Sequence, residues 1–511
     1  MTGNEPQDSH DFAGMHITVA GLGVSGVPAA RALAGLGARV TVVNSTDGDR
    51  ERAQAAELEQ WAAARWGSPR TKSGGASTEG GGGRRAGVTV RLGDGDTLPE
   101  GTELIVTTPG WKPASPLFLA AEKAGVPVWG DVELAWRLRG RDGRKAAPWL
   151  AVTGTNGKTT TVQMLASILK AAGLRTAAVG NIGVPLVDVV LGEGQEDGTS
   201  YDVLAVELSS YQLHWAPSVR AHSAAVLNLA PDHLDWHGSM EAYAAAKGRI
   251  YEGNTVACVY NAADPVTEDL VRDADVEEGC RAIGFTLGTP GPSQLGVVDG
   301  ILVDRAFVEN RHRQAQELAE VSDITPAAPH NIANALAAAA LARAFGVPAT
   351  AVRDGLRAFH PDAHRIQHIA DIAGVSYIDD SKATNTHAAE ASLAAYEHIV
   401  WIAGGLAKGA TFDELVRKSA ERLRGVVLIG ADRALIREAL LRHAPDVPVV
   451  DLDRTDTGAM SEAVREATRL AETGDTVLLA PACASMDMFV NYNKRGDAFA
   501  DAVGELAANG H

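Results

Sequence analysis

The sequence predicts an α/β protein built from three domains, and three observations carry that reading. The chain has 511 residues, too many for a single hydrophobic core and enough for about three. Short apolar runs alternate with helix-period segments along most of the chain, the pattern of mostly parallel sheets covered by helices. Two polar or Pro-containing joins, Gly140 to Ala147 and the stretch around residue 360, interrupt the alternation. The expected domains are therefore 14–146, 147–360 and 361–511.

Composition narrows the class. A hydrophobic content of 45% is ordinary for a globular protein. The formal charge of −18 argues against nonspecific nucleic-acid partners and against an anionic membrane surface. Cys258, Cys280 and Cys483 are scattered and odd in number, which is neither a disulfide framework nor a zinc spacing, so a reducing cytoplasm is expected. Met1 to Asp11 has no basic or apolar segment of a signal peptide. Ala333 to Phe345, interrupted by Asn334 and Arg343, reads as a buried helix and not as a membrane span.

The first domain opens with a strand His16 to Ala20, a turn Gly21-Leu-Gly-Val-Ser-Gly26, a helix Val27 to Leu36 and a strand Arg39 to Val43. This is a Rossmann-like start. Its G-x-G-x-x-G is weak evidence for a dinucleotide, because the site wants an acidic residue after the second strand. Here that position holds Asn44, with Asp47 further on. Pyrophosphate binding at the helix start stays open. Residues 67–87, rich in Gly, Ser and Arg, are expected to be a disordered insertion. A strand Leu104 to Thr107 ends in Thr108-Pro109-Gly110, and a helix Asp131 to Arg139 closes the domain.

The second domain starts with the most informative segment. Pro148 to Val152 is a strand, Thr153-Gly-Thr-Asn-Gly-Lys158-Thr-Thr-Thr161 a loop, and Val162 to Ala172 a helix. Backbone amides at such a helix start face a polyphosphate, Lys158 adds positive charge, and Thr159 can hold Mg²⁺. The loop reads as an ATP site. Its glycines, Gly154 and Gly157, are three apart, and Val152 stands where the longer G-x-x-x-x-G-K form needs its first Gly. That spacing points away from motors and GTPases and toward ATP-driven ligases. Strands are expected at Val203 to Val206 and Ala224 to Asn228. Glu207 and His233 follow them, and ligands of open α/β sheets sit beyond the carboxyl ends of strands. Either residue alone reads as a polar loop residue. Two such positions in the domain of Lys158 favour a divalent-cation site. Lys247, in Tyr243-Ala-Ala-Ala-Lys-Gly, reads from sequence chemistry as a solvated helix lysine, and Asn181-Ile-Gly-Val-Pro185 as a polar turn. A helix His330 to Phe345 ends the domain.

The third domain alternates helices with strands at Ser376 to Ile378, Ile399 to Ala403, Val426 to Ile429 and Thr476 to Leu479. Asp379-Asp-Ser-Lys-Ala-Thr-Asn385 and Pro481-Ala-Cys-Ala-Ser-Met486 each follow a strand. Lys382 with Thr384, and Ser485 with the amides after it, can hold a carboxylate. His364-Arg365 follows the second join, where a hinge residue can reach ATP. The fold class is thus α/β with an N-terminal Rossmann-like domain, a central P-loop ATPase-like parallel sheet and a C-terminal Rossmann-like α/β domain.

Taken together, Gly154-Thr-Asn-Gly-Lys-Thr-Thr160, Glu207-Leu-Ser-Ser-Tyr-Gln-Leu213, Asp380-Ser-Lys-Ala-Thr-Asn385 and Pro481 to Ser485 resemble the Mur ligase family, the ATP-dependent amide-bond-forming enzymes of peptidoglycan precursor synthesis. The last three motifs resemble its D-glutamate-adding branch, and the resemblance runs from about residue 14 to 505. It implies an acid–amino-acid ligase that joins D-glutamate to UDP-N-acetylmuramoyl-L-alanine through an acyl phosphate. The protein would be a cytoplasmic monomer serving cell-wall biogenesis, cell shape and division.

Carried over by position, the resemblance implies that Gly154, Thr155, Asn156, Gly157, Lys158, Thr159 and Thr160 bind ATP, with Asn334, Arg365 and Asp380 on the nucleotide. Two Mg²⁺ ions are implied, with Thr159, Glu207 and a carbamylated Lys247 around them and His233 positioning substrate and metal. Val24, Ser25, Asn44, Ser45 and Gly110 match the UDP-sugar site, and Asn181 its muramoyl side. Lys382, Thr384, Ser485 and Met486 match the D-glutamate pocket, with Tyr492 nearby. The departures are Asn44 where the branch has Asp, Tyr211 where Phe is common, and the 67–87 insertion. Two rival readings are weaker. An NAD-dependent oxidoreductase leaves Lys158, Glu207 and His233 without a role, and a non-enzymatic ATP-binding regulator does not need the metal and loop residues that are present.

Overall fold

The computed structural model describes residues 11–66, 86–192, 200–454 and 456–508. The described residues form three sheets. The chain divides into two compact units, one comprising residues up to Asp323 with Ala333–Ala358, the other Ile324–Ile332 with Phe359 onward.

In the first unit, β1 (His16–Ala20), β2 (Arg39–Asn44), β3 (Gly87–Leu92), β4 (Leu104–Thr107) and β5 (Val128–Gly130) form a parallel sheet in the order 3-2-1-4-5. This is the doubly wound order of the expected Rossmann-like domain. Most of the expected insertion, residues 67–85, lies outside the described residues. Gly87, placed in that insertion by composition, instead opens β3 and pairs with Arg39. The helix after β1 begins at Gly26, one residue earlier than its apolar pattern suggested. A Cβ on Gly26 would stand 1.9 Å from the Gly21 carbonyl oxygen, so only glycine lets the turn close this tightly.

The second sheet joins β6 (Trp149–Thr153), β7 (Ala178–Gly180), β8 (Leu204–Glu207), β9 (Ser223–Val226), β10 (Ala257–Asn261), β11 (Arg281–Phe285), β12 (Gln294–Val298), β13 (Ile301–Asp304) and β14 (Gln316–Glu320). Its order is 14-13-12-11-10-9-6-8-7. The strands around β6 are parallel, as expected. Beyond β12 the sheet continues as an antiparallel meander, which the sequence reading did not contain. Tight connections, with Gly300 at positive φ between β12 and β13, reverse the chain there. The apolar faces of both sheets merge into one core. Trp136, on the helix Asp131–Leu138, packs edge-on against Trp149 of β6 at 4.9 Å. The helix Lys158–Ala171 that follows β6 is clamped by the helix Ala349–Ala358: Ser167 Oγ donates to the Gly355 carbonyl at 2.7 Å, and a Cβ on Gly355 would meet Ile168 Cα at 2.3 Å.

In the second unit, β15 (Gln367–Ile372) pairs antiparallel with β16 (Val375–Asp379). The latter continues into a parallel sheet with β17 (Ile399–Gly404), β18 (Leu423–Ile429), β19 (Val449–Asp451) and β20 (Thr476–Leu479). The order is 15-16-20-17-18-19. Ile399, Trp401 and Ala403 face one layer of helices while Val400 and Ile402 face the other. A sheet buried on both faces therefore reads as a continuous apolar run.

Candidate functional site

The phosphate loop is held from two sides. Gly157 has φ +83° and Gly154 φ +151°, conformations that side chains resist. A Cβ on Gly157 would stand 2.3 Å from Asn334 Oδ1, so the loop lies directly against the helix Pro329–Ala344. On the other side the segment after β9 grips it. Asn228 Oδ1 accepts from Asn156 N at 2.9 Å, Thr155 N donates to the Asn228 carbonyl at 3.0 Å, and Ala230 N donates to Thr155 Oγ1 at 3.0 Å. Tyr243 Oη lies 3.0 Å from the same hydroxyl. Asn228 and Tyr243 were in motifs noted from sequence but carried no assigned role. Their partners are fixed only by the neighbouring strands.

Two lysines converge on Gly154. Lys158 Nζ donates to the carbonyls of Gly154 and Thr155, both at 2.8 Å. Lys247 Nζ donates to the same Gly154 carbonyl at 2.8 Å and to Thr153 Oγ1 at 3.4 Å. The sequence chemistry favoured a solvated Lys247, and the structure overturns that: it is 2% exposed. Its helix, Met240–Gly248, packs Tyr243, Ala246 and Lys247 inward. Burial, with the charge of Lys158 second, pushes the Lys247 amine well below its ordinary range.

Glu207 is the last residue of β8, where the reading placed it just past the strand. It is 2% exposed. Asn181 Nδ2 donates to its Oε1 at 3.0 Å, while Oε2 is buried with no hydrogen-bond partner. A buried carboxylate oxygen without a donor is costly, and a divalent cation would supply what is missing. Thr159 stands in the first turn of the helix Lys158–Ala171. No three His, Cys, Asp or Glu side chains converge on a metal-sized site among the described residues. A cation here fits Glu207, the Thr159 hydroxyl and nucleotide oxygens, not a preformed cage.

His233 lies seven residues beyond β9, at positive φ ahead of the helix Leu234–His237. Its amide donates to Asp232 Oδ1 at 2.9 Å, and its ring centroid is 4.8 Å from that of Tyr211. Tyr211 also contacts Trp236 and stacks on His237 at 5.7 Å, the interplanar angle being 9°. Burial, then the neighbouring histidines, push His237 down to about 4, so it is neutral at pH 7. Its Nε2 lies 2.9 Å from Ser210 Oγ. Trp236 Nε1 donates to the Trp111 carbonyl at 3.2 Å, beside Gly110 of the first sheet.

The expected sugar-binding residues line the carboxyl end of the first sheet. Val24 is largely exposed, and Ser45 and Gly110 are exposed as well. Asn44 Oδ1 accepts from Leu22 N at 3.1 Å, and its Nδ2 donates to Thr46. Asn44 therefore ties the glycine turn to the loop after β2. Asn181 is exposed on the turn after β7.

In the second unit the loops after β16 and β20 meet. Lys382 Nζ lies 3.9 Å from the Tyr492 ring centroid. Thr384 is half-buried, Ser485 buried and Met486 exposed. Burial pushes Asp380 up to about 6, against hydrogen bonds from Ser392 and the Ile366 amide and the charge of Arg365. Arg495, absent from the sequence reading, is buried beneath them. It donates to Ser381 Oγ at 3.0 Å, the Ser381 carbonyl at 2.8 Å and the Cys483 carbonyl at 3.1 Å, and Ser381 Oγ donates to the Tyr492 carbonyl at 2.7 Å. Its position sixteen residues past the strand β20 gave no local signal.

Comparison with known proteins identifies the family. The Mur ligase middle domain matches residues 152–342, and the Mur ligase glutamate ligase domain matches residues 364–483. The UDP-N-acetylmuramoylalanine--D-glutamate ligase of Streptomyces coelicolor is 78% identical over 98% of this chain and 99% of its own length. That of Thermobifida fusca is 56% identical over 97% of this chain and 100% of its own. In fold, the UDP-N-acetylmuramate-alanine ligase MurC of Thermotoga maritima superposes with a TM-score of 0.54 at 17% identity, covering 96% of this chain and 100% of its own. The MurF ligase of the same organism, solved in complex with ADP, gives 0.55 at 15% identity, covering 92% and 96%. This chain belongs to the Mur ligase family.

Proposed function

We propose that the protein joins D-glutamate to UDP-N-acetylmuramoyl-L-alanine at the expense of ATP, in the cytoplasmic synthesis of peptidoglycan precursors. The observation that carries the reading is the convergence at Gly154 of Lys158 and a buried Lys247, with the unpartnered Glu207 Oε2 in the same sheet. The near-full-length likeness to D-glutamate ligases supports the choice of substrates. The three domains would divide the work: 14–146 the UDP-sugar, 147–360 ATP, 361–511 the amino acid. No helix of the described residues is long and apolar enough to cross a membrane. A monomer suffices, since each expected ligand has its residues on one chain.

The chemistry follows from the poor reactivity of a free carboxylate. The L-alanine carboxylate attacks the γ-phosphorus, the bond to ADP breaks, and an acyl phosphate forms. The D-glutamate amine then attacks the acyl carbon, and the tetrahedral intermediate expels phosphate. The amides of Thr155 to Thr160 and Lys158 hold the transferring phosphate and neutralise its charge. Asn334, Arg365 and Asp380 serve the nucleotide. Mg²⁺ bound by Thr159 and Glu207, two ions in all, would supply further neutralisation at the phosphates. Because burial disfavours its charged form, Lys247 is available as a neutral amine to add to CO₂, forming an N–C bond with loss of a proton. The resulting carbamate would turn a cation beside Lys158 into a carboxylate-like group beside the metal. His233, held by Asp232 and Tyr211, positions the acyl end of the substrate, and Asn181 its muramoyl side. Val24, Ser25, Asn44, Ser45 and Gly110 hold the UDP-sugar. Lys382, Thr384, Ser485 and Met486, with Tyr492, hold D-glutamate.

The test is ATP-dependent phosphate release with UDP-N-acetylmuramoyl-L-alanine while the amino acid is varied. Release with D-glutamate, and little with L-glutamate, lysine or diaminopimelate, is expected. Release with a different amino acid would overturn the pocket assignment. No release with any pair would overturn the ligase reading.

A further inference from the structure

Three cysteines are scattered along the sequence, and the fold brings two of them together. Cys258 lies in β10 and is 2% exposed. Cys280 is half-buried and immediately precedes β11. The two strands run parallel, with Cys258 opposite Ala282. Alternate residues along a strand share a face, and Cys280 stands two positions before Ala282. The two sulfurs lie 3.9 Å apart, both against the core of the first unit.

A disulfide bond is about 2 Å long, so each sulfur has to travel only about 1 Å to form one. The segment ahead of β11 has room to give. Gly279 is exposed, sits at φ +90°, and has no atom within 4 Å of the place where a Cβ would stand. The two thiols also differ in the way that the reaction needs. Cys280 is the one that solvent reaches, and its hydrogen bond with Cys258 holds its thiol below the ordinary range. The same bond, with burial second, pushes Cys258 up. The thiolate is the nucleophile of cysteine chemistry, so Cys280 reacts first and Cys258 resolves. A metal does not account for the pair, since no three His, Cys, Asp or Glu side chains among the described residues could hold one. The third cysteine, Cys483, is fully buried, and burial pushes its thiol up to about 12, which makes it an internal control.

The sheet that carries the pair also carries the phosphate loop. At the far end of β10, Asn261 Nδ2 donates to the Leu227 carbonyl at 3.0 Å, and Leu229 N donates to Asp264 Oδ2 at 2.8 Å. These bonds flank Asn228, which grips the loop.

We propose that Cys258 and Cys280 form an oxidation site, which hydrogen peroxide closes into an intrachain disulfide that staples β10 to the start of β11. The Cys280 thiolate attacks one peroxide oxygen, the O–O bond breaks, and the departing hydroxide takes up a proton to become water. Cys280 is left as a sulfenic acid. The Cys258 sulfur then attacks the Cys280 sulfur, the S–O bond breaks, and the hydroxide leaves with the Cys258 proton as a second water. The two thiols lose two electrons and the peroxide gains them. A thiol reductant reverses the bond, as suits a disulfide formed in a reducing compartment. Closing the roughly 20 residues between the cysteines into a loop restricts the unfolded chain, so the oxidised protein resists unfolding.

The experiment treats the full chain with excess hydrogen peroxide, counts thiols after denaturation, and maps the peptides. It needs no turnover, so its result is independent of the ligase reading. Free thiols are expected to fall from three to one, with Cys258 and Cys280 in one disulfide-linked peptide and Cys483 unchanged. Dithiothreitol is expected to restore all three. The unfolding midpoint of the oxidised protein is expected to rise by about 5 °C or more. Cys280→Ser, at a half-buried position, is expected to keep both remaining thiols at the same peroxide dose and to show no rise. Cys258→Ala is expected to stop at a Cys280 sulfenic acid, trapped by a cyclic 1,3-diketone. Three thiols surviving in wild type, separate loss of Cys258 and Cys280 as sulfinic acids, a disulfide between two chains, or a midpoint that does not rise would each overturn the proposal.

Discussion

Replacing Gly157 by alanine tests whether the phosphate loop works through its backbone shape. Gly157 sits at φ +83°, and an L-residue held in the left-handed region loses roughly 1–2 kcal/mol. The added methyl would also stand 2.3 Å from Asn334 Oδ1 and 3.1 Å from its Cγ. Asn334 is buried, so its end must retreat by about 1 Å to restore ordinary contact, an overpacking that typically costs roughly 1–3 kcal/mol. The two effects add to roughly 2–5 kcal/mol. If the loop keeps its shape, the strain appears as a lower unfolding midpoint. If the loop relaxes, its amides no longer converge, and ATP affinity falls by at least about tenfold for each 1.4 kcal/mol that is transferred. Calorimetric titration with ATP, paired with a thermal unfolding scan, reads both channels. A Gly157→Ala protein with unchanged ATP affinity and unchanged midpoint would refute the reasoning.

Three further outcomes are expected. Asp131→Asn should raise the unfolding midpoint at pH 7.5. The folded carboxyl is pushed up to about 6 from an ordinary 3.8, so its burial is penalised by up to about 3 kcal/mol above pH 6. That penalty is relieved as pH falls toward 4, and a gain that does not shrink with falling pH would contradict the assignment. Glu207→Gln should raise the Mg²⁺ concentration for half-maximal phosphate release by at least ~10-fold, and a superimposable Mg²⁺ titration would count against a metal at Oε2. Gly496→Ala would place a methyl 2.1 Å from His364 Nδ1 and 2.8 Å from Asp379 Oδ2, disrupting a pair whose nitrogen and oxygen lie 2.6 Å apart. The Asp379 bond raises the His364 pKa, so this stabilisation is fully present below the unfolded histidine value and is lost as pH rises through the folded one. The variant should therefore lose roughly 3 kcal/mol at pH 6 and less at pH 9. An equal loss at both values, read from denaturant unfolding, would mean that the pair carries no charge-dependent stability.

The strand–loop–helix at 149–171 was legible from sequence because each of its signals is local. An apolar run, glycines where φ must be positive, and a lysine at the helix start lie within about twenty residues and need no distant partner. The same holds for the glycine turn at 21–26 and for the strands β1, β4 and β20, whose bounds coincide with the expected ones. Burial was not local, and there the reading failed. Lys247 lies on a helix whose sequence looks solvated, and it becomes a perturbed amine only because the helix packs against Thr153 and Gly154, more than ninety residues away. Asn228 and Arg495 belong to the same class, polar residues whose partners sit in loops after other strands. The sequence by itself determined the α/β class, the parallel strands around β6 and the phosphate loop, since backbone conformation follows from neighbours along the chain, while the antiparallel meander β12–β14 did not show in it. The tertiary structure alone decided which side chains lose water and which carboxylate oxygens are left without donors, because desolvation is set by what packs against a group from elsewhere in the fold.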